Sequence, residues 1–318
     1  MRNDPFGQGR YEQQQAAPQK RGLFGNVRWW ILIAFAGYAA FSWFSSKEVD
    51  PYTGEDAHYG ATPQEESQLG AQAYQQVLGD AQAQRALLPA DNQTSQQIRQ
   101  IAQRLVARVP QVAADLAALH QQPTPDLSSY QWDVNVIQSD EANAFCLPGG
   151  KIAVYTGLIP VAKNADAMAV VMGHEIAHAL QRHGAQRMAQ QKLVQMGQLA
   201  AGVAIGNMDP QQQQMVMAAL GAGTQYGLVL PYGRKHESQA DEVGLMLAAA
   251  ACFNPEEAVP LWERMSELGG GQRQPEFAST HPDPANRIQH LQSLMPQAKQ
   301  FYQKYCSQGG ASGTTAAP

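Results

Sequence analysis

The sequence predicts an α+β fold, mainly helical, placed after a single N-terminal transmembrane helix. Three observations predict it. An uninterrupted apolar run lies near the N-terminus, most of the remaining chain keeps a helical 3.6-residue period, and a short central stretch changes to a period of two. With 318 residues, 44% of them hydrophobic and 15% charged, the chain has ample material for a buried core. The net charge of −5, with no dense Lys/Arg stripe, argues against nucleic acid as the main partner.

Residues 1–22 are polar and Gln-rich without an apolar period, so they read as a disordered tail. Residues 23–45 follow as a membrane segment. Its apolar core, Trp29 to Phe44, is 16 residues, and counting from Leu23 brings it to spanning length, with Arg28 snorkelling and Trp29, Trp30 and Trp43 at the interfaces. Arg2, Arg10, Lys20, Arg21 and Arg28 precede the run, and Glu48, Asp50, Glu55 and Asp56 follow it. The positive-inside rule then leaves the N-terminus cytoplasmic and the rest outside, as in a single-pass protein of a bacterial-type inner membrane with a periplasmic domain. A cleaved signal peptide and a buried core helix are the rival readings. The first lacks a small-x-small cleavage site and the second would need a polar face elsewhere on the run.

Residues 46–65, with Pro51, Gly54, Gly60 and Pro63, read as a linker, and 66–306 as the main domain. Two helical patterns open that domain. One covers roughly Glu66 to Leu88; the other has Thr94 as a candidate cap, carries Ile98, Ile101, Leu105 and Val109, and kinks or ends at Pro110 before a further apolar turn through Leu119. Tyr130, Trp132, Val134 and Val136 alternate with polar residues, as in a half-buried strand. A turn at Pro148-Gly149-Gly150 leads to a second strand, Lys151 to Thr156. Asn164 is placed to cap the next helix, with Asp166 in its first turn. Residues 190–229, rich in Ala, Gly, Met and Gln, read as a helical pair with small-residue faces, neither run clean enough for a second span. The last helix, Pro284 to Tyr305, keeps Ile288, Leu291, Leu294, Met295, Ala298 and Tyr302 on one face, and 307–318 form a flexible tail. Cys252 and Cys306 would pair in an exported domain and leave Cys146 free; three small buried thiols are the equal alternative.

The chemistry concentrates in "MGHEIAHALQRH". Residues four apart on a helix lie about 40° apart around its axis, so His174 and His178 face one way and can grip one zinc ion. Glu175, about 100° round, is placed to act on a metal-bound water rather than as a ligand. His183 falls about 140° from His178 on a continuous helix, which turns it away from the site towards the surface or a second helix. The better third ligand is Glu237, one helical turn before Asp241, which could accept a hydrogen bond from a ligating imidazole. His236 points about 100° away from Glu237.

"HEIAH", then "LPYGRKHESQAD" and "STHPDPANRIQHL", with "NAFCLPGGKIAVYTGLI" before them, resemble the HtpX/Oma-type zinc metalloendopeptidases, gluzincins that include the type I CAAX prenyl proteases. The resemblance covers about Tyr130 to Leu291. It implies a zincin-like domain with a small β-sheet and edge strand beside the HExxH helix. It also implies one Zn2+ held by His174, His178 and Glu237, with Glu175 as base. Asp241 is implied as proton donor or orienter, and an aspartate bonded to a ligating imidazole favours the orienter. His281 would steady the transition state or occupy the open metal position, and Arg287 would offset oxyanion charge or anchor its loop. HtpX-type members have several spans, whereas this chain shows one, closer to periplasmic single-domain relatives.

The reaction expected is hydrolysis of internal peptide bonds, with unfolded or misfolded envelope proteins adding as an extended strand along Lys151 to Thr156. A zinc-stabilised periplasmic chaperone or scaffold with latent proteolysis is the alternative from another class. The presence of Glu175, dispensable for metal binding, favours catalysis.

Overall fold

The computed structural model describes residues 28–225, 229–269, 277, 281 and 284–307, so the two predicted tails and residues 23–27 of the apolar segment lie outside the described residues, apart from residue 307. The first helix, α1 (Trp29–Ser45), has 17 residues, about 26 Å at 1.5 Å each, and none of them is buried. No helix among the described residues is long and apolar enough to cross a membrane.

The stretch read as a linker carries a short antiparallel hairpin, β1 (Lys47–Val49) and β2 (Asp56–His58). Its turn is organised by Asp50, whose Oδ1 accepts from the backbone N–H of Tyr52 at 2.9 Å and of Thr53 at 3.0 Å. Burial raises the Asp50 carboxyl to about 6 against those hydrogen bonds.

Helix α2 (Pro63–Ala83) begins at a capping box in which Thr62 and Glu65 satisfy each other's orphan groups. Helix α3 (Gln93–Leu119) is capped by Asn92 rather than Thr94, and it does not end at Pro110. A proline removes one backbone donor, but the buried stripe from Ile98 through Leu116 outweighs that loss.

Strands β3 (Asp133–Ile137), β4 (Ala144–Leu147) and β5 (Lys151–Tyr155) form one sheet in the order β3-β5-β4. β5 pairs in parallel with β3 and antiparallel with β4. This corrects the expectation that Lys151 to Thr156 offers a pairing edge: both of its sides are taken. The sequence hid β4 because its four residues run directly into the Pro148-Gly149-Gly150 turn. In that turn Gly149 and Gly150 have φ of +79° and +83°, the region that favours glycine.

After a short α4 (Ile159–Ala162), helix α5 (Ala165–Leu180) runs through the centre of the molecule. Asn164 caps it by accepting from Ala167 N–H at 2.8 Å. α6 (His183–Ile205) and α7 (Pro210–Thr224) form the expected helical pair, with α1 packed on α6, where Phe35 meets Gly197. α8 (Leu230–Ala250), α9 (Ala258–Gly269) and α10 (Pro284–Cys306) complete the core around α5. A disulfide joins Cys252 to Cys306, and Cys146 is free and buried.

Candidate metal centre

Helix α5 is apolar nearly all round and buried from Ala167 to Leu180 except at His178, so it forms at the centre of the core, not on its surface. Two of its imidazoles and Glu175 are therefore carried into a largely dry interior. Helix α8 crosses it at a pair of glycines. A Cβ on Gly173 would stand 2.7 Å from the Gly244 carbonyl oxygen, and one on Gly244 would stand 2.6 Å from His174 N. The two backbones touch beside the first histidine. That close approach sets Glu237 and Asp241, two turns and one turn before Gly244 respectively, against the imidazoles.

The donor atoms converge. His174 Nε2 lies 3.0 Å from His178 Nε2 and 3.3 Å from Glu237 Oε2, and His178 Nε2 lies 3.5 Å from Glu237 Oε1. His281 Nδ1 is 3.3 Å from His174 Nε2 and 2.7 Å from Glu237 Oε2. A tetrahedral zinc site with bonds near 2.1 Å has donor–donor edges of about 3.4 Å, so this set fits Zn2+ in both chemistry and spacing.

Around the donors stands a fully buried charge network. His174 Nδ1 lies 3.0 Å from Asp241 Oδ1, which fixes its proton there and leaves Nε2 to face the centre. Arg287 donates from Nε to Asp241 Oδ2 at 2.8 Å, from Nη2 to Asp241 Oδ1, and from Nη1 to Glu237 Oε2 at 2.9 Å. Its guanidinium sits 3.7 Å over the Trp262 ring. Nη2 is also 3.1 Å from His174 Nδ1, but with that nitrogen donating to Asp241 the approach is a contact between two donors drawn to one carboxylate. Burial alone would raise both carboxyls. Hydrogen bonds from His174 and His281 hold Glu237 far below its usual range, and the Arg287 charge lowers Asp241. Burial and Arg287 push His174 down, but its bonds to Asp241 and Glu237 outweigh them and leave it at about 9; burial keeps His178 neutral.

Glu175 lies beside the donor set without joining it. Its Oε1 is buried with no hydrogen-bond partner, and burial raises its carboxyl above the usual range. His281 Nε2 stands 3.3 Å from that oxygen, and its ring stacks on Phe277 with centroids 4.5 Å apart. Cys146, on β4, is pushed up by burial and by the nearby Glu175 charge.

The structure corrects the placement of one histidine. His183 does not turn away from the site: its Nδ1 is 2.8 Å from His178 Nδ1, and only 1% of the residue is exposed. The continuous-helix geometry failed because α5 ends at Leu180 and Arg182 takes a left-handed backbone, φ 55° and ψ 37°, before α6 begins at His183. Arg182 is held there by Glu66, at 2.6 Å, and by the Ala61 carbonyl. His236, outside the donor set as expected, is buried and stacked on His183 with ring centroids 4.1 Å apart. Sequence reasoning also missed Gly173 and Gly244; their facing positions on two buried helices were the available signal.

The model of Peptidase family M48 matches residues 102–295, well over half of the sequence. The chain belongs to peptidase family M48. As the motifs implied, this is an Oma-type zinc metalloendopeptidase. It is 29% identical to the mitochondrial metalloendopeptidase OMA1 of Schizosaccharomyces pombe, over 85% of this chain and 73% of that protein. Identity is 28% with the OMA1 of Saccharomyces cerevisiae, covering 96% of this chain and 85% of the relative. The beta-barrel assembly-enhancing protease of Escherichia coli is 30% identical over 48% of this chain and 32% of its own length.

Proposed function

We propose that His174, His178 and Glu237 hold one Zn2+ and that Glu175 is the general base of peptide-bond hydrolysis. The observation that carries this is the convergence of His174, His178, Glu237 and His281 donor atoms within 4.8 Å of one another, with Glu175 adjacent but outside the set. Zinc held there supplies Lewis acidity, activating water and polarising the scissile carbonyl. Glu175 takes the proton of the attacking water on Oε1, which has no hydrogen-bond partner among the described residues, and passes it to the leaving amine, a role worth about 10²–10⁴ in rate. Asp241 orients His174 through Nδ1, and Arg287 neutralises the two buried carboxylates on its side of the site.

Substrate backbone pairs with β4, whose outer side has no strand partner among the described residues and which packs beside α5. Backbone pairing tolerates many sequences, which suits unfolded or misfolded proteins. The membrane-anchored, periplasmic reading rests on the charge asymmetry around the apolar run. The Cys252–Cys306 disulfide, which fits an oxidising compartment, supports it, as does the E. coli relative named for β-barrel assembly.

His281 favours one further reading: in the resting enzyme it fills the position that substrate needs, since its Nδ1 points into the donor set. Glu175→Gln tests the mechanism. Zinc content is expected to persist while cleavage of unfolded casein falls by at least 10²-fold; a variant that cleaves normally refutes the base assignment.

A further inference from the structure

Several regions outside the catalytic groups hold buried polar side chains, but one of them reaches the metal centre. His178 shows its Nε2 to the donor set, so its proton is on Nδ1. That N–H points at His183 Nδ1, 2.8 Å away, which must accept. His183 then carries its own proton on Nε2, and 3.2 Å from that atom lies Gln239 Oε1. The Gln239 amide nitrogen in turn donates to Glu55 Oε2 at 2.7 Å, while Thr53 Oγ1 lies 3.4 Å from it. Each link has only one direction of donation consistent with its neighbours.

We propose that His183 and Gln239 are positioning residues for the zinc ligand His178, and that their hydrogen-bond relay ties the metal centre to the β1–β2 hairpin through Glu55. The proposal rests on the reading of His178 as a ligand.

Each part of the relay is built. The left-handed Arg182 swings His183 back under His178, a backbone conformation that disfavours side chains and is held here by the ion pair with Glu66. Stacking on His236 fixes the plane of the His183 ring. Gln239 is 5% exposed, so its amide is held between the two helices and the hairpin. Glu55 also pairs with Lys235 at 3.0 Å, which fixes the far end of the relay to α8. A carboxylate at the end of a chain of donors raises the basicity of the first imidazole, the same arrangement that Asp241 gives directly to His174. The two ligand histidines are therefore oriented by different devices: one by a carboxylate in contact, the other by a carboxylate two residues removed, on the segment that follows α1.

The test is zinc affinity of the full chain, measured by competition with a chromophoric chelator. His183→Phe keeps a ring to stack on His236 but offers no acceptor, and about 10- to 100-fold weaker zinc binding is expected. His183→Asn, which restores an acceptor oxygen, should recover part of the loss, which a purely packing role would not produce. Glu55→Ala, an exposed truncation, should weaken zinc binding by a smaller factor, and its effect should vanish in the His183→Phe background. The melting temperature of each metal-free variant separates lost folding from lost affinity. Wild-type zinc affinity in His183→Phe overturns the relay; if that variant does not fold, wild-type affinity in Gln239→Leu overturns it instead. His178→Ala is the control for the underlying reading: if it keeps zinc, the ligand assignment fails, whatever His183 does.

Discussion

Removing the Cys252–Cys306 bridge should destabilise the domain by about 4 kcal/mol without touching the donor set. The bridge closes a loop with a sequence separation of 54, running from the end of α8 to the end of α10. The chain-entropy relation for a loop of that length gives about 14 cal/mol/K, or about 4 kcal/mol at 25 °C. For a domain of this size that corresponds to roughly 8–16 °C in melting temperature. The loop also contains α9 with Trp262, together with Phe277, His281 and Arg287, so it supplies one whole wall of the metal centre. Urea unfolding of the Cys252→Ser/Cys306→Ser variant, with and without zinc, measures the effect. Reductant should shift wild type towards the variant and leave the variant unmoved. A midpoint change worth less than about 1 kcal/mol would refute the reasoning, because it would mean that the unfolded chain gains little freedom when the loop is opened.

Gly244→Ala places a methyl 2.6 Å from His174 N, so α5 and α8 must separate; a loss of about 1–3 kcal/mol by urea unfolding and a larger loss in zinc affinity are expected. Arg287→Met leaves Asp241 and Glu237 buried without their cation, which should cost about 3–5 kcal/mol in the metal-free protein and less with zinc bound, a difference read by calorimetry. His281→Ala should raise casein cleavage if His281 caps the resting site; a fall of tenfold or more with unchanged zinc content would assign it to the transition state instead. Asp50 contributes a pH dependence remote from the metal. Its folded pKa is raised, from 3.8 to about 6, so stability linked to it is fully present below 3.8 and lost as pH rises through 6; Asp50→Asn should flatten the stability profile across that window.

Much of the site was legible because the motifs lie on regular helices, where spacing converts directly into direction. His174, Glu175 and His178 follow from register on α5, and Glu237 and Asp241 from register on α8. Asn164 was readable as a cap for the same local reason. What sequence left hidden depended on tertiary packing. The four residues of β4 carry too little alternation to be recognised, and only pairing with β5 makes them a strand. Pro110 reads as a kink or an end, and the second is excluded only when the buried stripe of α3 is seen to continue past it. The hairpin in 46–65 turns on Asp50, whose Oδ1 accepts from Tyr52 and Thr53 N–H, while its three-residue strands are too short to show a period.

His183 shows the point at which register arguments stop. The 140° rotation is correct for an unbroken helix, and one left-handed residue cancels it. Arg182 adopts that conformation because Glu66 and the Ala61 carbonyl, more than a hundred residues earlier, hold its guanidinium, with Tyr59 stacked 4.0 Å away. The break is thus specified by residues running from just after β2 into the first turn of α2, and the hairpin just before them touches the relay behind His178 through Gln239. A strained residue beside a proposed metal ligand, fixed by distant contacts, is a place where local propensity and the global fold disagree, and such disagreement concentrates at sites that do chemistry. The consequence is testable: Glu66→Gln should release Arg182, let α5 run on, and weaken zinc binding as His183 leaves its place, although Glu66 touches none of the three proposed zinc ligands. Retained zinc affinity with an extended α5 in a crystal structure would show that the break serves packing alone.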